Sequence, residues 1–142
     1  MKKQITRMKK LTSILLIDDD AISNMVTEMM LTDIEAAREI RVAFNGEEAV
    51  ELLEHHPESF PELIFLDINM PLMNGFDFLN YWEKSGMTGK SKICMFTTSA
   101  LREDKERAKY YSDVIAYVEK PLSESRAKKI LQLLYESTFG GL

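Results

Sequence analysis

The sequence predicts an α/β fold, a parallel β-sheet covered on both faces by helices, and three observations carry that expectation. Mostly apolar runs of four or five residues stand between turn signals at residues 14–17, 40–44, 63–66, 93–96 and 114–118, the signature of buried strands. Segments with helical periodicity or helix-forming composition follow each run. The two kinds alternate five times with loops of a few residues, as in strand–helix units wound into one sheet. With 142 residues and no repeat, low-complexity segment or internal linker, the chain reads as one domain with a full core.

Each element has its own justification. The first strand is Ile14-Leu15-Leu16-Ile17, and Asp18-Asp19-Asp20 follows at once. Ile22, Met25, Val26, Met29 and Met30 then recur at helical spacing, so the first helix is expected to bury that stripe in the core, with Asp20 or Ser23 as its cap. Ile40-Arg41-Val42-Ala43-Phe44 is the second strand, and Asn45-Gly46 turns the chain. Glu47 and Glu48 suit the positive end of the second helix, and Ala49, Leu52 and Leu53 form its apolar side. Pro57 and Pro61 bound a loop before the third strand, Leu63-Ile64-Phe65-Leu66, which ends in Asp67-Ile68-Asn69-Met70-Pro71. A third helix over about residues 76–84 is closed by Gly86 and Gly89. The fourth strand, residues 93–96, ends in Thr97-Thr98-Ser99, and a charged helix over residues 101–111 follows. The fifth strand, residues 114–118, leads into Glu119-Lys120-Pro121, and the last helix, about residues 123–137, presents Ala127, Ile130, Leu131 and Leu134 on one face.

Composition narrows the functional classes. Hydrophobic content of 45% with 29% charged residues describes a chain that folds and stays soluble. The net charge of -5 gives no reason to expect nucleic-acid binding. The charge is uneven: Lys2, Lys3, Arg7, Lys9 and Lys10 lie in the first 13 residues, and taking these five from the 18 basic groups leaves 13 against 23 acidic ones. No apolar stretch reaches the length of a membrane span, and the aspartates after residue 17 rule out a signal-peptide core. Cys94 lies inside an apolar strand and reads as a small core residue, because one cysteine makes no intramolecular disulfide and no zinc site. His55 and His56 read as exposed residues at a helix end.

The chemistry gathers at the strand ends. In an open α/β sheet, ligands bind outside the carboxyl ends of the strands. Asp18, Asp19 and Asp67 fall there, and carboxylates brought close together take up protons or demand a cation, for which magnesium is the natural choice among oxygen ligands. Asp67 is the best candidate nucleophile, since a carboxylate can attack a phosphoryl group and hold it as an acyl phosphate. Lys120 could neutralise charge on that group. Asp20 reads as a helix cap.

The set formed by Asp18-Asp19, Asp67-Ile68-Asn69-Met70-Pro71 with Gly75 behind it, Thr97 and Lys120-Pro121 resembles the receiver domain of two-component response regulators. The resemblance covers residues 13–138, between a basic N-terminal tail at residues 1–12 and a frayed end at residues 139–142. It implies a flavodoxin-like (βα)5 three-layer sandwich with strand order 2-1-3-4-5. It implies that Asp67 accepts a phosphoryl group from a phosphohistidine on a sensor histidine kinase or histidine phosphotransfer protein. Asp19, Asp67 and the backbone carbonyl of Asn69 would bind Mg2+ directly, and Asp18 through water. Thr97, chosen over Thr98 because the apolar strand ends at Phe96, would hydrogen-bond the phosphoryl group, and Lys120 would pair with it. Thr97 and Tyr117 would move together as a switch. The side chains of Asn69 and Ser99 would flank the path of the hydrolytic water.

The kinase would meet the first helix and the loop after Lys120, and the output face would be the fourth helix, fifth strand and fifth helix, with Tyr110, Tyr111 and Tyr117. The chain resembles the stand-alone, chemotaxis-regulator-like type: no turnover enzyme, cytoplasmic, acting on a protein target, a monomer or weak phosphorylation-dependent dimer, with neither nucleic-acid binding nor membrane insertion. Two other readings compete. Asp18-x-Asp20 after a strand resembles the start of haloacid-dehalogenase-type phosphatases, with Asp18 as nucleophile and Asp20 as acid. The other is a receiver-fold binding module that is never phosphorylated.

Overall fold

The computed structural model describes residues 10–136. Five parallel strands, β1 Leu11–Ile17, β2 Ala37–Ala43, β3 Leu63–Leu66, β4 Lys92–Thr97 and β5 Val114–Glu119, form one sheet in the order β2-β1-β3-β4-β5. The helices are α1 Ala21–Asp33, α2 Gly46–His55, α3 Gly75–Lys84, α4 Arg102–Ala108 and α5 Glu124–Tyr135. Alternation along the strands divides the core in two. Leu15, Ile17, Ile64, Leu66 and Met95 point to the side where Leu53, Phe78, Leu79 and Trp82 of α2 and α3 pack. Ile14, Leu16, Phe65, Cys94 and Phe96 point to the side closed by Leu31 of α1 and Ala127, Ile130 and Leu134 of α5. The central strands are buried on both faces, which is why they read as unbroken apolar runs. Burial pushes the Cys94 thiol up, as suits a core residue.

Strands extend past their apolar runs where hydrogen bonding continues. β2 begins at Ala37 rather than residue 40, since an edge strand paired only with β1 tolerates exposed Arg38 and Glu39. β1 begins at Leu11, so residues 11 and 12 belong to the sheet and not to a tail. The rest of that tail, apart from Lys10, and residues 139–142 lie outside the described residues. No helix among the described residues is long and apolar enough to cross a membrane.

The largest departure from expectation is α1. Its Ile22, Met25, Val26 and Met29 are between 51% and 68% exposed, and of that stripe only Met30 packs against the core. The buried face is Asn24, Thr27 and Leu31. Two stripes at helical spacing compete on one helix, and apolar periodicity favoured the wrong one. What turns Asn24 inward is a polar partner: its Nδ2 donates to the Asp18 carbonyl at 2.9 Å.

Candidate functional site

The parallel sheet delivers the key residues to one edge through its own hydrogen-bond ladder. Asp18 follows β1, and its N–H donates to the Ala43 carbonyl at 3.0 Å. Asp67 follows β3 and donates to the Ile17 carbonyl at 3.0 Å. Lys120 follows β5 and donates to the Thr97 carbonyl at 2.9 Å. The backbone of each is thus tied to a neighbouring strand. Thr97 ends β4, and the Lys120–Pro121 peptide is cis.

Carboxylate oxygens of Asp18, Asp19 and Asp67 all lie within 4.8 Å of one another. Asp18 and Asp67 are buried and Asp19 is exposed. The Lys120 ammonium pairs with Asp18 and lies 3.6 Å from Asp67 Oδ2, over the Phe96 ring. Asp67 Oδ1 accepts from the Ile68 N–H at 2.8 Å. Burial pushes the Asp67 carboxyl above its ordinary value; Lys120 opposes that rise, Asp18 adds to it, and the bonds from Thr97 and Ile68 hold it back further. Among the described residues no hydrogen bond or ion pair engages the Asp19 carboxylate. Three carboxylates facing one ammonium, with one carboxylate open to solvent, form an oxygen-donor set suited to a hard divalent cation.

The loop after β3 is packed tightly against its surroundings. Ile68 and Met70 are buried while Asn69 is exposed. Gly75 N–H donates to the Ile68 carbonyl at 2.9 Å, and a Cβ on Gly75 would stand 2.5 Å from the Asp67 carbonyl oxygen. Asn74 and Asp77 form a reciprocal capping box that starts α3 directly behind the loop. Leu72, at φ 69° and 84% exposed, projects from the loop.

Thr97 is fully buried and Thr98 exposed. Ser99 joins Thr97 to Tyr117: its N–H donates to Thr97 Oγ1 at 3.2 Å, and the Tyr117 hydroxyl donates to the Ser99 carbonyl at 3.0 Å. Ser99 Oγ also donates to Asp104 Oδ2 of α4 at 2.6 Å. Lys105 spans the same seam, pairing with Glu119 at 3.3 Å and lying over the Tyr117 ring. Of the three aromatics expected on an exposed face, only Tyr110 is exposed. Tyr117 is half-buried, and Tyr111 turns to α3, where its hydroxyl donates to Asn80 Oδ1 at 2.7 Å and its ring meets Phe76.

Two other groups stand apart. Asp20 is the N-cap of α1, accepting from the Ile22 and Ser23 N–H groups at 3.0 and 3.2 Å. A shallow depression lined by Val42, Glu48, Leu52, His55 and His56 lies between β2 and α2 and contains none of the clustered carboxylates.

Comparison with known proteins agrees with this fold. Residues 14–132 match the response regulator receiver domain family. The chain belongs to that family. It is 30% identical to a two-component response regulator of Arabidopsis thaliana, over 95% of this chain and 92% of the plant protein. It spans only 52% and 40% of two longer response-regulator relatives. Among solved structures, a two-component response regulator from Cytophaga hutchinsonii superposes with a TM-score of 0.84 at 28% identity, covering 90% of this chain and 99% of the other. A chemotaxis protein of the CheY type from Vibrio cholerae superposes with a TM-score of 0.72 at 27% identity, covering 87% and 98%. The flavodoxin-like order 2-1-3-4-5 is that of receiver domains. Receivers are signalling modules that work with histidine kinases or phosphotransfer proteins, and the phosphatase reading is not favoured: its acid, Asp20, is occupied in capping a helix.

Sequence reasoning missed Asn24 and Asp104. Asn24 carried a signal, a polar residue at helical spacing from Thr27 and Leu31, but the methionines masked it. Asp104 carried none, because an acid in the first turn of a charged helix is ordinary.

Proposed function

We propose that the chain is a phosphoacceptor whose Asp67 takes a phosphoryl group from a phosphohistidine on a sensor histidine kinase or histidine phosphotransfer protein. An Asp67 carboxylate oxygen attacks phosphorus, the phosphorus–nitrogen bond breaks, and the neutral imidazole leaves after protonation. The single observation that carries the reading is the Asp67 carboxylate, buried at a strand end, clustered with those of Asp18 and Asp19 and 3.6 Å from the Lys120 ammonium. Asp19, Asp67 and the Asn69 carbonyl would hold Mg2+ directly, with Asp18 acting through water. The ion supplies charge neutralisation for the incoming phosphoryl oxygens. Lys120, now shared between Asp18 and Asp67, is within reach to pair with the new dianion. Thr97 donates its hydroxyl to a phosphoryl oxygen.

That last step links the site to the surface. Thr97 Oγ1 now accepts from Ser99, and Ser99 anchors Tyr117. A Thr97 hydroxyl drawn toward the phosphoryl group disturbs the Ser99 backbone, releases the Tyr117 hydroxyl and loosens the α4–β5 seam at Asp104 and Lys105. The output face comprises α4, β5 and α5. The donor meets the exposed apolar face of α1, which starts at the rim of the site, together with the loop after Lys120. Turnover chemistry is limited to slow self-hydrolysis, whose rate the side chains of Asn69 and Ser99 set. The protein works in the cytoplasm as a monomer or a weak phosphorylation-dependent dimer.

The test is transfer from a phosphorylated histidine phosphotransfer protein carrying labelled phosphate. Label should move to the wild type with magnesium and not to Asp67→Asn. Label in that mutant, or none reaching the folded wild type from a panel of such donors, would count against the reading.

A further inference from the structure

Burying an amide while four large apolar side chains of the same helix stay in water requires a local cause, because an unpaired buried amide is costly. The cause lies at the acidic loop. Asn24 Nδ2 donates to the Asp18 carbonyl at 2.9 Å, and the Asn24 N–H donates to the Asp20 carbonyl at 3.0 Å. Asp18 is held from every other side as well: its N–H by Ala43, its Oδ1 by the Asp20 N–H at 2.9 Å, and its other oxygen by Lys120. The Asp18 carbonyl belongs to the planar peptide that joins Asp18 to Asp19. Fixing the direction of that carbonyl fixes the peptide plane, and with it the positions of the Asp19 N and Cα from which its side chain starts. Asp19 has no hydrogen bond or ion pair of its own among the described residues, so the placement of its backbone is what keeps its carboxylate within reach of Asp18 and Asp67.

We propose that Asn24 is a positioning residue for the cation site: it locks the Asp18–Asp19 peptide and so presets the Asp19 carboxylate beside Asp18 and Asp67. This rests on the reading of those carboxylates as a Mg2+ site. Loss of the amide frees the peptide to rotate and lets the Asp19 carboxylate sample positions away from its two partners. Outer groups that orient ligands act on affinity in this way.

The experiment is calorimetric titration of Mg2+ alone into the full-length chain, without phosphodonor, alongside thermal midpoints. Asn24→Leu keeps the volume and removes the donor, Asn24→Ala removes both, and Thr27→Ala is the control one turn along the same buried stripe. Both Asn24 variants should bind Mg2+ about tenfold or more weakly than wild type. Thr27→Ala should lose stability and keep wild-type affinity. Wild-type affinity in Asn24→Leu would overturn the proposal, as would an equal loss of affinity in Thr27→Ala. A second measurement needs no variant: the side-chain amide resonances of wild-type Asn24 should shift in step with Mg2+ saturation, and fixed resonances at saturation would overturn it. No Mg2+ binding by the wild type would remove the cation site itself and the proposal with it, an outcome visible before any variant is made.

Discussion

Asp67→Asn should make the fold more stable at neutral pH when divalent cations are absent. Carboxylate oxygens of Asp18, Asp19 and Asp67 lie within 4.8 Å of one another. Two unit charges at that distance repel by about 1 kcal/mol in water and about 3–4 kcal/mol at the effective dielectric of a protein site. The Lys120 ammonium, 3.6 Å from Asp67, offsets roughly one of the two repulsions that Asp67 suffers. One repulsion and the burial of the charge remain, a net cost between about 1 kcal/mol at the dielectric of water and about 4 kcal/mol at that of a protein site. The substituted side chain would keep an oxygen for the Ile68 N–H and carry no charge. Each kcal/mol gained corresponds to about 3–5 °C in thermal midpoint for a domain of this size.

The pH dependence follows from the direction of the shift. The folded state holds the Asp67 proton more tightly than the unfolded chain does, so the wild type loses stability as pH rises from the ordinary value of 3.8 through the raised one. The advantage of the variant should open across that window, stay constant above it and vanish below it. Magnesium should narrow the gap, because binding to the folded wild type adds about 1.4 kcal/mol at tenfold above its Kd while the variant has lost a ligand. Thermal unfolding followed by circular dichroism, with chelator or magnesium across a pH series, reads all of this. A variant less stable than wild type in chelator at neutral pH would refute the charge argument.

Three further outcomes follow from other contacts. Asp113 is buried and accepts from Trp82 Nε1 at 2.9 Å and the Gly89 N–H at 2.8 Å, so Asp113→Ala should cost about 3 kcal/mol in urea unfolding; a loss below about 1 kcal/mol would contradict this. Met25→Glu and Met29→Glu lie on the exposed face of α1 and should change stability by no more than about 0.5 kcal/mol. They should block transfer from a phosphohistidine protein while leaving phosphorylation by acetyl phosphate intact, and equal loss with both donors would count against α1 as the docking face. Gly75→Ala places a Cβ against the Asp67 carbonyl and should slow phosphorylation by about tenfold or more, as small misplacements of a reacting group do; an unchanged rate would show that the loop yields freely.

The fold was legible because its central strands are buried on both faces and must be apolar throughout, so the runs at residues 14–17 and 63–66 left no ambiguity. The acidic cluster was legible for a related reason: parallel strands of one sheet end at one edge, so residues directly after apolar runs become neighbours whatever their separation in sequence. Side-chain orientation on helices was less accessible. In α1 the apolar stripe and the buried stripe lie on nearly opposite faces of the helix, and the buried one is marked by the hydrogen bond from Asn24 to the Asp18 carbonyl. Tyr110 and Tyr111 are adjacent and chemically alike, yet one is exposed and the other is held by Asn80, a partner 31 residues away. Asp113 stands between α4 and β5 with nothing local to indicate that it receives Trp82 and Gly89. Long-range polar partners leave no periodic trace in a sequence, and they account for most of these departures.

The most direct test of the central claim is the intact mass of the folded chain after incubation with acetyl phosphate, with and without magnesium, beside Asp67→Asn. The account predicts one phosphoryl adduct on the wild type that requires magnesium, is labile to hydroxylamine as an acyl phosphate must be, and is absent from the mutant. An adduct that persists in Asp67→Asn, or forms equally well in chelator, would contradict it.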